Sequence, residues 1–396
     1  MTWPTRPIGE IATIYDGPHA TPTKRTEGPW FLSISSLENG RLKLSESAHL
    51  SETDFAQWTR RVIPEQGDLL FSYETKLGAA ALMPADLRAC LGRRMGLLRP
   101  YRDQVLPEFL LYAYLGPNFQ AEIKARSIHG ATVDRIPLAS LKTWPISVPP
   151  LKEQQAITEV LGALDEKISV NERLIATAID LARCKYQAFE KVTHTQISKI
   201  AEIFDGPHAT PNKTDAGPWF LSVSSLKGGI FDLTESAHMT EEEFPRWTRR
   251  VKPSAGDVLF SYETRLGEAA LMPAGIRASL GRRMALLRPK TTDVDGALLL
   301  HAFLSKEFQE EIRRRTVHGA TVDRIPLKEM GTWPIALPSK DDRPVLSRML
   351  SALHSTIEHC HHENHALVDL RDTLLPQLVT GKIRVKDAER IVEDAT

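Results

Sequence analysis

The strongest constraint on the fold of this chain is that most of its sequence occurs twice. The segment DGPHATP at 16–22 recurs at 205–211, HGATVDRIPL at 129–138 recurs at 318–327, and TWPI at 143–146 recurs at 332–335. Each match is displaced by 189 positions, and 58 of the 85 residues from Asp16 to Pro100 are identical in the second copy. Because this period is far longer than that of a solenoid repeat, it predicts a duplicated domain whose two copies perform the same task.

Composition limits the classes of protein to which the chain can belong. Its 396 residues, 42% of them hydrophobic, allow two or three domains with their own cores. Lys and Arg number 50, as do Asp and Glu, so the whole surface is not basic, although local basic patches are compatible with this balance. Three cysteines at unrelated spacings match neither a disulfide framework nor a zinc site. Since the sequence also lacks an apolar run of signal-peptide or membrane-spanning length, we expect a cytoplasmic protein.

Each copy is predicted to begin with an α+β domain. The alternating segment 29–37 predicts a strand, and a Gly-Asp turn at 67–68 precedes a second strand, LLFSY. Ser51 and Thr240 are followed by acidic residues in the arrangement typical of a helix start. Pro107 stands in the first turn of a predicted helix, LPEFLLYAYL.

A long helix is predicted after each domain, because the pattern changes there to a heptad repeat. The segment 153–191 contains no proline, and at about 1.5 Å per residue the helix would be on the order of 55 Å long. One helix cannot bury such a seam alone, so we expect the two helices to pack as an antiparallel coiled coil that separates the two domains with pseudo-twofold symmetry. The seam positions are Ile157, Leu161, Leu164, Ile168, Asn171, Ile175, Ala178, Ala182 and Phe189, then Leu346, Leu350, Leu353, Ile357, Cys360, Asn364, Leu367, Leu374 and Leu378.

Polar residues on these helices have ordinary explanations. Asn171 and Asn364 occupy seam positions, where a polar residue sets the register of two helices; contact with a partner helix is the alternative. Histidines are concentrated at 359–365, but the matching stretch of the first copy, Val170–Ala176, contains none. We therefore expect a solvated helix face there and no metal site in the chain.

Several motifs, in their order along the chain, resemble those of the specificity subunits of type I restriction–modification systems. The segment WPISVPPLKEQQAI (144–157), followed by LDEKISVN (164–171), is similar to that family's entry into its central helix. GDLLFSY and RRMGLLRP (93–100) resemble parts of its target-recognition domains, and LRDTLLPQLVTGKI (370–383) resembles its C-terminal end. The second helix entry, LPSKDDRPVLSRML, departs from the family's PPLKEQ form.

The resemblance implies a domain order and a function. The subunit itself would carry no catalytic site and bind no cofactor. It would read a two-part sequence in double-stranded DNA, one part per domain, while its helices set the gap and dock two methyltransferase subunits. Those subunits use S-adenosylmethionine to methylate adenine N6, and a restriction subunit with motor and nuclease activities cuts unmodified DNA; no membrane partner is implied. The implied domains are 1–150 (first target-recognition domain), 151–192 (central helix), 193–339 (second target-recognition domain), 340–383 (second helix) and 384–396 (tail).

The segment GDLLFSYETKLG also contains the residue types of a metal-dependent nuclease site. Asp68 and Glu74 could hold a divalent cation, and Lys76 could activate water. In the second copy Arg265 replaces the lysine, and arginine is a poor base because it does not readily lose its proton. We therefore expect this position to contact phosphate or guanine, with the glutamate accepting from cytosine or orienting the cation, and Asp68 and Asp257 to shape the turn.

Candidate DNA contacts are the cations and the polar side chains that both copies share. Cations give affinity through phosphates, and polar groups at base edges give specificity. Trp58 and Trp247 are expected in the core rather than stacked on bases. The candidates in the first copy are Ser33, Ser35, Ser36, Arg60, Arg61, Ser72, Tyr73, Glu74, Lys76, Arg93, Arg94, His129, Thr132 and Arg135. Those in the second copy are Ser222, Ser224, Ser225, Arg249, Arg250, Ser261, Tyr262, Glu263, Arg265, Arg282, Arg283, His318, Thr321 and Arg324.

Two other functions remain compatible with the sequence: a DNA-binding adaptor outside restriction–modification with the same duplicated layout, and a metal-dependent nuclease with two active sites. The similarity of the copies predicts half-sites of nearly the same sequence, inverted across a nonspecific gap. It also predicts that a half chain, residues 1–191, could pair with itself. The main divergence between the copies, at 38–43 and 227–232, falls in a predicted turn between strands.

Overall fold

The chain divides into two units, each of which contains one copy of the repeat. The computed structural model describes residues 3–130, 133–189, 192–319 and 322–395. Unit 1 comprises Met1–Ser169 with His365–Thr396, and unit 2 comprises Val170–Asn364. Unit 1 is therefore assembled from two segments that all of unit 2 separates in sequence.

The elements follow the same order in both copies. The strands of unit 1 are β1 (Thr5–Pro7), β2 (Ala12–Asp16), β3 (Arg25–Phe31), β4 (Leu37–Glu38), β5 (Arg41–Leu42), β6 (Ala48–His49), β7 (Leu69–Ser72), β8 (Ala80–Leu82), β9 (Ala89–Cys90), β10 (Met95–Pro100) and β11 (Pro145–Ser147). Its short helices are α1 (Glu52–Trp58), α2 (Pro107–Leu115), α3 (Pro117–Arg126) and α4 (Leu138–Leu141). Helix α5 (Leu151–Gln187) crosses into unit 2.

Unit 2 continues the numbering. Its strands are β12 (Val192–Gln196), β13 (Ala201–Asp205), β14 (Thr214–Phe220), β15 (Leu226–Lys227), β16 (Ile230–Phe231), β17 (Ala237–His238), β18 (Val258–Ser261), β19 (Ala269–Leu271), β20 (Ala278–Ser279), β21 (Met284–Pro289) and β22 (Pro334–Pro338). Its short helices are α6 (Ile197–Ile200), α7 (Phe244–Trp247), α8 (Gly296–Leu304), α9 (Lys306–Arg315) and α10 (Leu327–Met330). Helix α11 (Arg343–Leu378) returns the chain to unit 1, where α12 (Val385–Ala395) follows it.

The two units have the same sheet topology. An antiparallel sheet has the strand order β2-β10-β7-β8 in unit 1 and β13-β21-β18-β19 in unit 2. A second sheet, β6-β3-β9 or β17-β14-β20, contains one parallel pair. The register is also kept, since Phe71 pairs with Gly96 and Phe260 pairs with Ala285. Helices and sheets within each unit confirm the predicted α+β fold.

Strand β7 is buried on both faces, which fixes the loop that follows it. Leu69 and Phe71 belong to the main core cluster of unit 1, together with Phe109 of α2. Leu70 points to the opposite face and packs in a second cluster with Leu97. A one-residue slip would exchange these two faces, so the register of β7 is strongly specified.

Several local predictions are confirmed at the level of hydrogen bonds. Ser51 caps α1, its hydroxyl accepting from the backbone N–H of Asp54 at 3.1 Å. Pro107 occupies the first turn of α2, where its missing N–H costs no helical bond. The divergent segment 38–43 contains the predicted turn, which joins β4 to β5.

The structure corrects the sequence predictions elsewhere. The predicted strand 29–37 stops at Phe31, because the Ser33 hydroxyl accepts from the backbone of Ser35 and starts a 3-10 turn. The heptad pattern extends to Phe189, but α5 ends at Gln187 and Tyr186 is the buried residue of its last turn. Similarly, Thr240 does not begin a helix directly: α7 starts only at Phe244.

The heptad seam is buried as predicted. In unit 1, the beginning of α5 packs against the end of α11; in unit 2, the end of α5 packs against the beginning of α11. Within each unit the two helices are therefore antiparallel. The unit 1 cluster contains Ile157, Leu161, Leu164, Ile168, Leu367, Leu374 and Leu378, and the unit 2 clusters contain Ile175, Ala178, Ala182, Leu346, Leu350, Ile357 and Cys360.

A pair of asparagine side chains interrupts this apolar seam. Asn171 Nδ2 donates to Asn364 Oδ1 at 2.9 Å and to Glu363 Oε2 at 2.6 Å, and only 2% of Asn171 is exposed. A slipped register would leave the buried Asn171 amide without these acceptors, so the pair specifies the alignment of α5 and α11.

Helix α12 completes unit 1, although the sequence analysis assigned no element to that segment. Its Ala388 is fully buried in the unit 1 core, and Trp3 Nε1 donates to the Leu378 carbonyl at 2.8 Å. The first and last segments of the described chain thus pack in the same unit. None of the helices among the described residues is both long and apolar enough to cross a membrane.

A polar network joins the domain of unit 1 to its long helices. Tyr112 of α2 donates its hydroxyl to Asp165 Oδ2 of α5 at 2.7 Å, and Arg371 of α11 donates to Asp165 Oδ1 at 3.0 Å. Arg41 donates to the Asp165 carbonyl. Burial, and then the Asp165 carboxylate, raise the pKa of the Tyr112 hydroxyl.

The equivalent positions of unit 2 hold two histidines. His301 of α8 and His354 of α11 correspond to Tyr112 and Asp165, and their Nε2 atoms lie 3.1 Å apart in a buried contact. Burial lowers the pKa of His301 to about 3, aided by His354 and Arg183, and lowers that of His354 to about 4 against the opposing effect of Asp295. Both imidazoles are therefore neutral at physiological pH, one donating to the other.

Candidate nucleic-acid interface

Three loops of unit 1 meet beyond the end of β7 and bring together many of the candidate contacts. We call residues 73–76, 93–94, 128–130 and 133–135 the first loop face, and 262–265, 282–283, 317–319 and 322–324 the second. Backbone bonds hold the first together: Tyr73 N–H donates to the Arg94 carbonyl at 3.2 Å, and Ile136 N–H donates to the Tyr73 carbonyl at 2.8 Å. The same bonds recur in unit 2, from Tyr262 to Arg283 at 3.1 Å and from Ile325 to Tyr262 at 2.8 Å.

The first loop face is built on strained backbone. Thr75 and Arg94 both have φ = +69°, a left-handed conformation that is rare for residues other than glycine and unfavourable for a β-branched one. Such residues cost about 1–3 kcal/mol each and persist only where the surrounding structure enforces them. Thr264 and Arg283 repeat the geometry with φ = +68° and +69°. The duplicated strain indicates that the surrounding structure enforces the same loop geometry in both units.

Side chains lock the two strained residues to each other. Arg94 Nε lies 2.8 Å from Glu74 Oε2, and Arg94 Nη1 donates to Thr75 Oγ1 at 3.5 Å. In unit 2, Arg283 makes the same two contacts, at 3.1 Å to Glu263 and 3.0 Å to Thr264. Glu74 and Glu263 therefore orient Arg94 and Arg283, whereas the sequence analysis had paired them with the cations at Lys76 and Arg265.

Most of the predicted cations lie on the surface near these loops. An exposed cation can contact phosphate with little desolvation of other groups, which suits the role predicted for it. His129 is also exposed and lies 3.1 Å from Asp134, as His318 does from Asp323. The exposed cations are Arg60, Arg61, Lys76, Arg93, Arg135, Arg249, Arg250, Arg282 and Arg324, while Arg265 is half-buried beside Glu268.

Six of the predicted contacts are buried, which contradicts their assignment to DNA. The hydroxyl groups of Ser72 and Ser261 donate to the carbonyls of Glu74 and Glu263, so they shape the loop instead of meeting a ligand. The hydroxyl group of Ser36 is similarly bonded to Ser47. The full set is Ser36, Ser72, Tyr73, Ser225, Ser261 and Tyr262, all at most 5% exposed.

The remaining predicted residues fall into two groups. Ser33 and Ser222 cap 3-10 turns, so their hydroxyls already accept bonds from Ser35 and Ser224. Ser35 stays exposed, and Ser224 is half-buried. Thr132 and Thr321 lie outside the described residues. Trp58 and Trp247 are half-buried against Phe31 and Phe220, so they are partly core residues, as predicted.

The nuclease arrangement considered from the sequence is not assembled. Asp68 precedes β7 while Glu74 and Lys76 follow it, so the strand places them at opposite ends. Asp68 is 2% exposed and accepts two bonds from Arg99, at 2.9 and 2.8 Å, and one from the backbone of Glu65. Asp68 therefore stabilises the turn before β7, and Asp257 does the same with Arg288. Among the described residues, no group of three or more His, Cys, Asp or Glu is placed to hold a metal ion.

The sequence analysis missed a pair of clefts beside the loop faces. The first, of about 450 Å³, is lined by the loop 16–20 and by 57–62; the second, of about 530 Å³, is lined by 205–209 and 246–251. Tyr73 lies between the first cleft and the loop face. Burial raises the pKa of its hydroxyl, and the carboxylates of Asp16 in the cleft and Glu74 in the loop face raise it further. The signal was available in DGPHATP, which is identical in both copies but was used only as evidence of duplication.

Local packing explains why the DGPHATP motif needs a glycine at position 17 and how its histidine is placed. The backbone of Gly17 lies so close to β10 that a Cβ there would be 2.4 Å from the Met95 carbonyl oxygen. Gly17 N–H donates to that carbonyl at 2.9 Å, which fixes the start of the loop. His19 Nε2 then lies 2.9 Å from Asp16 Oδ2, so the loop presents an imidazole and a carboxylate together.

Comparison with known proteins assigns this architecture to a family. Residues 1–178 match the family model described as type I restriction modification DNA specificity domain, and the second copy repeats most of that segment. The putative type I restriction enzyme MjaX specificity subunit of Methanocaldococcus jannaschii is 22% identical, with 97% of this chain and 94% of that protein covered. The EcoKI specificity subunit of Escherichia coli K12 is 21% identical over 65% of this chain and 61% of its own length.

A solved structure has the same fold. The S subunit of a type I restriction–modification system from M. genitalium superimposes with a TM-score of 0.63 at 17% identity, and 96% of each chain is covered. These findings lead to one conclusion: residues 1–178 match the type I restriction modification DNA specificity domain, and the chain is similar over nearly its whole length to specificity subunits of type I restriction–modification systems.

Proposed function

We propose that this chain reads a bipartite, nearly palindromic DNA site through its two loop faces and thereby directs methyltransferase and restriction subunits to that site. The observation that carries the proposal is the duplicated loop face, in which the same strained residues, Thr75 with Arg94 and Thr264 with Arg283, are surrounded by exposed cations in both units. Rigid loops presenting arginines at fixed positions suit groove recognition, because little conformational entropy is lost on binding.

The chain contributes recognition and not catalysis in this proposal. Lys76 becomes Arg265 in the second copy, and Asp68 is bonded to Arg99. S-adenosylmethionine would be bound by the methyltransferase subunits, which transfer its methyl group to adenine N6. Incubation of the purified chain with duplex DNA and Mg²⁺ is therefore expected to give no cleavage; metal-dependent cutting that Glu74→Gln abolishes would favour the nuclease function instead.

Docking of two methyltransferase subunits is assigned to the long helices. In unit 2, helix α5 exposes Val170, Leu174 and Leu181, each more than 40% accessible, although the opposite face of the helix is buried. Large apolar side chains that recur along one exposed helix face are typical of a protein interface. Restriction subunits would bind either to the methyltransferase subunits or next to them in the complex.

The test is to co-express the chain with the methyltransferase of its system and to map methylated adenines. The expected result is one gapped sequence motif with closely similar inverted halves. Absence of a methyltransferase partner in co-purification, together with DNA binding, would favour the adaptor function. Unrelated half-sites would contradict the near-palindromic site while leaving the family assignment intact.

The gap between half-sites is expected to depend on the helices. Because α5 and α11 are antiparallel within each unit, heptads should be inserted opposite each other, after Ser169 and after His365. These positions leave the Asn171–Asn364 and Asp165–Arg371 contacts in place. One heptad adds roughly 10 Å, and DNA rises about 3.4 Å per base pair, so the gap should grow by about three base pairs. An unchanged gap would show that the helices do not set the spacing.

A further inference from the structure

The cleft beside each loop face contains an ion pair with a long contact between its charged groups. Arg61 Nη1 lies 3.4 Å from Asp16 Oδ2, and the Arg61 side chain is 62% exposed. By contrast, Arg99 contacts Asp68 at 2.8 Å in the same unit and is only 28% exposed. A long contact between an exposed arginine and a carboxylate contributes little to stability. Arg61 Nη1 also donates to the Gly17 carbonyl at 3.4 Å, and because both contacts are long the side chain can turn toward another acceptor.

The carboxylate of this pair is fixed more firmly than the arginine. His19 lies 2.9 Å from Asp16 Oδ2, while Asp16 Oδ1 is enclosed and the carboxylate interacts with the buried Tyr73 hydroxyl, whose pKa it helps to raise. A carboxylate held by two neighbouring side chains keeps one orientation when the guanidinium turns away. Oδ2 therefore faces the cleft in a fixed position beside a movable guanidinium.

The same arrangement occurs in unit 2. Arg250 Nη1 lies 3.6 Å from Asp205 Oδ2 and is 63% exposed, and His208 Nε2 lies 3.1 Å from the same oxygen. Asp205 Oδ1 is likewise enclosed, and the Asp205 carboxylate helps to raise the pKa of the Tyr262 hydroxyl. Of the residues that line the two clefts, only Gln57 differs, with Arg246 in its place in unit 2, so the ion pair and its histidine are retained.

We propose that Asp16 with Arg61, and Asp205 with Arg250, each read one G·C base pair in the major groove. In this arrangement Arg61 donates to guanine O6 and N7, and Asp16 accepts from N4 of the paired cytosine. The inference rests on the proposed function, because it assigns a base pair to a site on the DNA-binding surface. His19 and His208 are positioning residues that orient the carboxylates.

The pattern of hydrogen-bond donors and acceptors favours a G·C base pair over an A·T base pair or a phosphate. A G·C pair presents two acceptors on guanine followed by a donor on cytosine, which matches an arginine beside an ionised carboxylate. An A·T pair would place thymine O4 and its methyl group against a carboxylate or an arginine, so it matches poorly. A phosphate would be repelled by Asp16, whereas the neighbouring Arg60 is exposed and suits a phosphate contact.

The experiment is selection of bound duplexes from a random-sequence library, using the full chain in complex with its methyltransferase subunits. The wild type is compared with Arg61→Gln, and Arg60→Gln serves as the matched control on the adjacent residue. We expect Arg61→Gln to reduce the preference for G·C at one position of one half-site by roughly tenfold or more. The other half-site, read by Arg250, should keep its selected sequence. That result would show that the variant is folded.

Two further variants make the assignment specific. Asp16→Asn should shift the same position toward A·T, because an asparagine side chain matches adenine N6 and N7. Arg250→Gln should relax the corresponding position of the other half-site. Arg60→Gln should instead weaken binding to all sequences alike and reduce its salt dependence.

The outcomes separate this inference from the proposed function. If Arg61→Gln weakens binding uniformly, or leaves every selected position unchanged, the inference is overturned while the bipartite site stands. If the wild type itself selects no gapped motif, the proposed function fails, and the base assignment fails with it.

Discussion

The two units are alike at their loop faces and different where the domain meets the long helices. Glu74, Thr75 and Arg94 have counterparts in unit 2 with nearly the same φ angles and contacts. Yet the buried Tyr112–Asp165 bond of unit 1 is replaced by a pair of neutral histidines in unit 2. The difference teaches that the duplication retained the geometry of the loop face while the packing between the domain and its long helices diverged.

The polar contacts between the long helices also differ between the two copies. Asp165 contacts Arg371 and Asn171 contacts Asn364, but the first copy has Ala182 and Ile175 at the positions equivalent to Arg371 and Asn364. A half chain of residues 1–191 that paired with itself would therefore set Asp165 against alanine and Asn171 against isoleucine. The duplicated sequence suggests that such a pair forms, whereas these contacts predict that it is weak.

The largest expected effect comes from restoring the missing partners in that half chain. Ala182→Arg with Ile175→Asn supplies two ion pairs and two amide pairs per dimer, which should contribute about 4 kcal/mol, or roughly a thousandfold in dissociation constant. Sedimentation equilibrium measures the change. Ala182→Leu, which adds bulk without charge, is the control, and an equally tight dimer with leucine would show that the polar contacts do not select the partner.

The histidine pair predicts that only unit 2 loses stability in mild acid. The pKa values of His301 and His354, about 3 and about 4, lie below the ordinary 6.5, so the unfolded state binds more protons once the pH falls below about 6.5. The free energy of unfolding of unit 2 is highest above that pH and falls toward pH 4. At pH 5 it should be lower by about 2 kcal/mol per imidazole.

Hydrogen exchange of α8 and α2 at pH 7 and pH 5, corrected for the intrinsic pH dependence of exchange, compares the two units. The double variant His301→Tyr with His354→Asn keeps one hydrogen bond and removes both titrating groups. Protection of α8 should then become as insensitive to this pH change as that of α2. Equal acid sensitivity in the variant and the wild type would exclude the histidines as the cause.

A smaller effect, confined to unit 1, is expected from Arg371→Met. This change keeps the apolar stem of the side chain but leaves the Asp165 carboxylate, which is 26% exposed, without its guanidinium. Loss of a charged hydrogen bond at this depth should cost about 1.5 kcal/mol. Exchange of α2 should accelerate while that of α8 stays constant. Asp165→Asn in the same background should recover part of the loss, because the unpaired charge is then removed.

The smallest effect concerns the divergent turns. Asn39 and Gly40 have φ = +48° and +79°, and Gly228 and Gly229 have φ = +57° and +101°, so both hairpins require left-handed residues. A Cβ at Gly228 would meet no atom within 4 Å. Gly228→Asn should therefore stabilise unit 2 by about 0.5 kcal/mol through the unfolded state, and Asn39→Gly should destabilise unit 1 by a similar amount. Urea denaturation of both variants measures whether the two changes in unfolding free energy are equal and opposite.

The sequence was informative where structure is encoded in a periodic pattern. The repeat predicted two similar units, and the heptads predicted the buried faces of α5 and α11. It was less informative where a local bond overrides the pattern, as at Ser33, whose hydroxyl ends a strand that alternation would continue. The His301–His354 contact joins residues 53 positions apart, and no pattern in the sequence connects them.

Prediction of the site had a similar limit. Residue type and repetition identified the cations of the loop faces, but not which of the shared hydroxyls are buried: Ser72 and Ser35 look alike in sequence, and only Ser35 is exposed. The left-handed Arg94 was also hidden, because arginine has no intrinsic preference for that conformation. Asp16 and His19 could have been found, since a polar segment kept unchanged in both copies favours a binding role.

The assembly of unit 1 from two distant segments has a consequence for biosynthesis. Residues 170–364 form a continuous unit that can fold as it leaves the ribosome, but the first 169 residues pack with α12 and the end of α11, which are made last. At about 5–20 residues per second, the earlier segment waits roughly 10 to 40 s for its partner. During that time Leu161, Leu164 and the seam around them stay uncovered. The first segment of unit 1 thus matures only after unit 2 has been synthesised, and until then it stays accessible to chaperones and proteases.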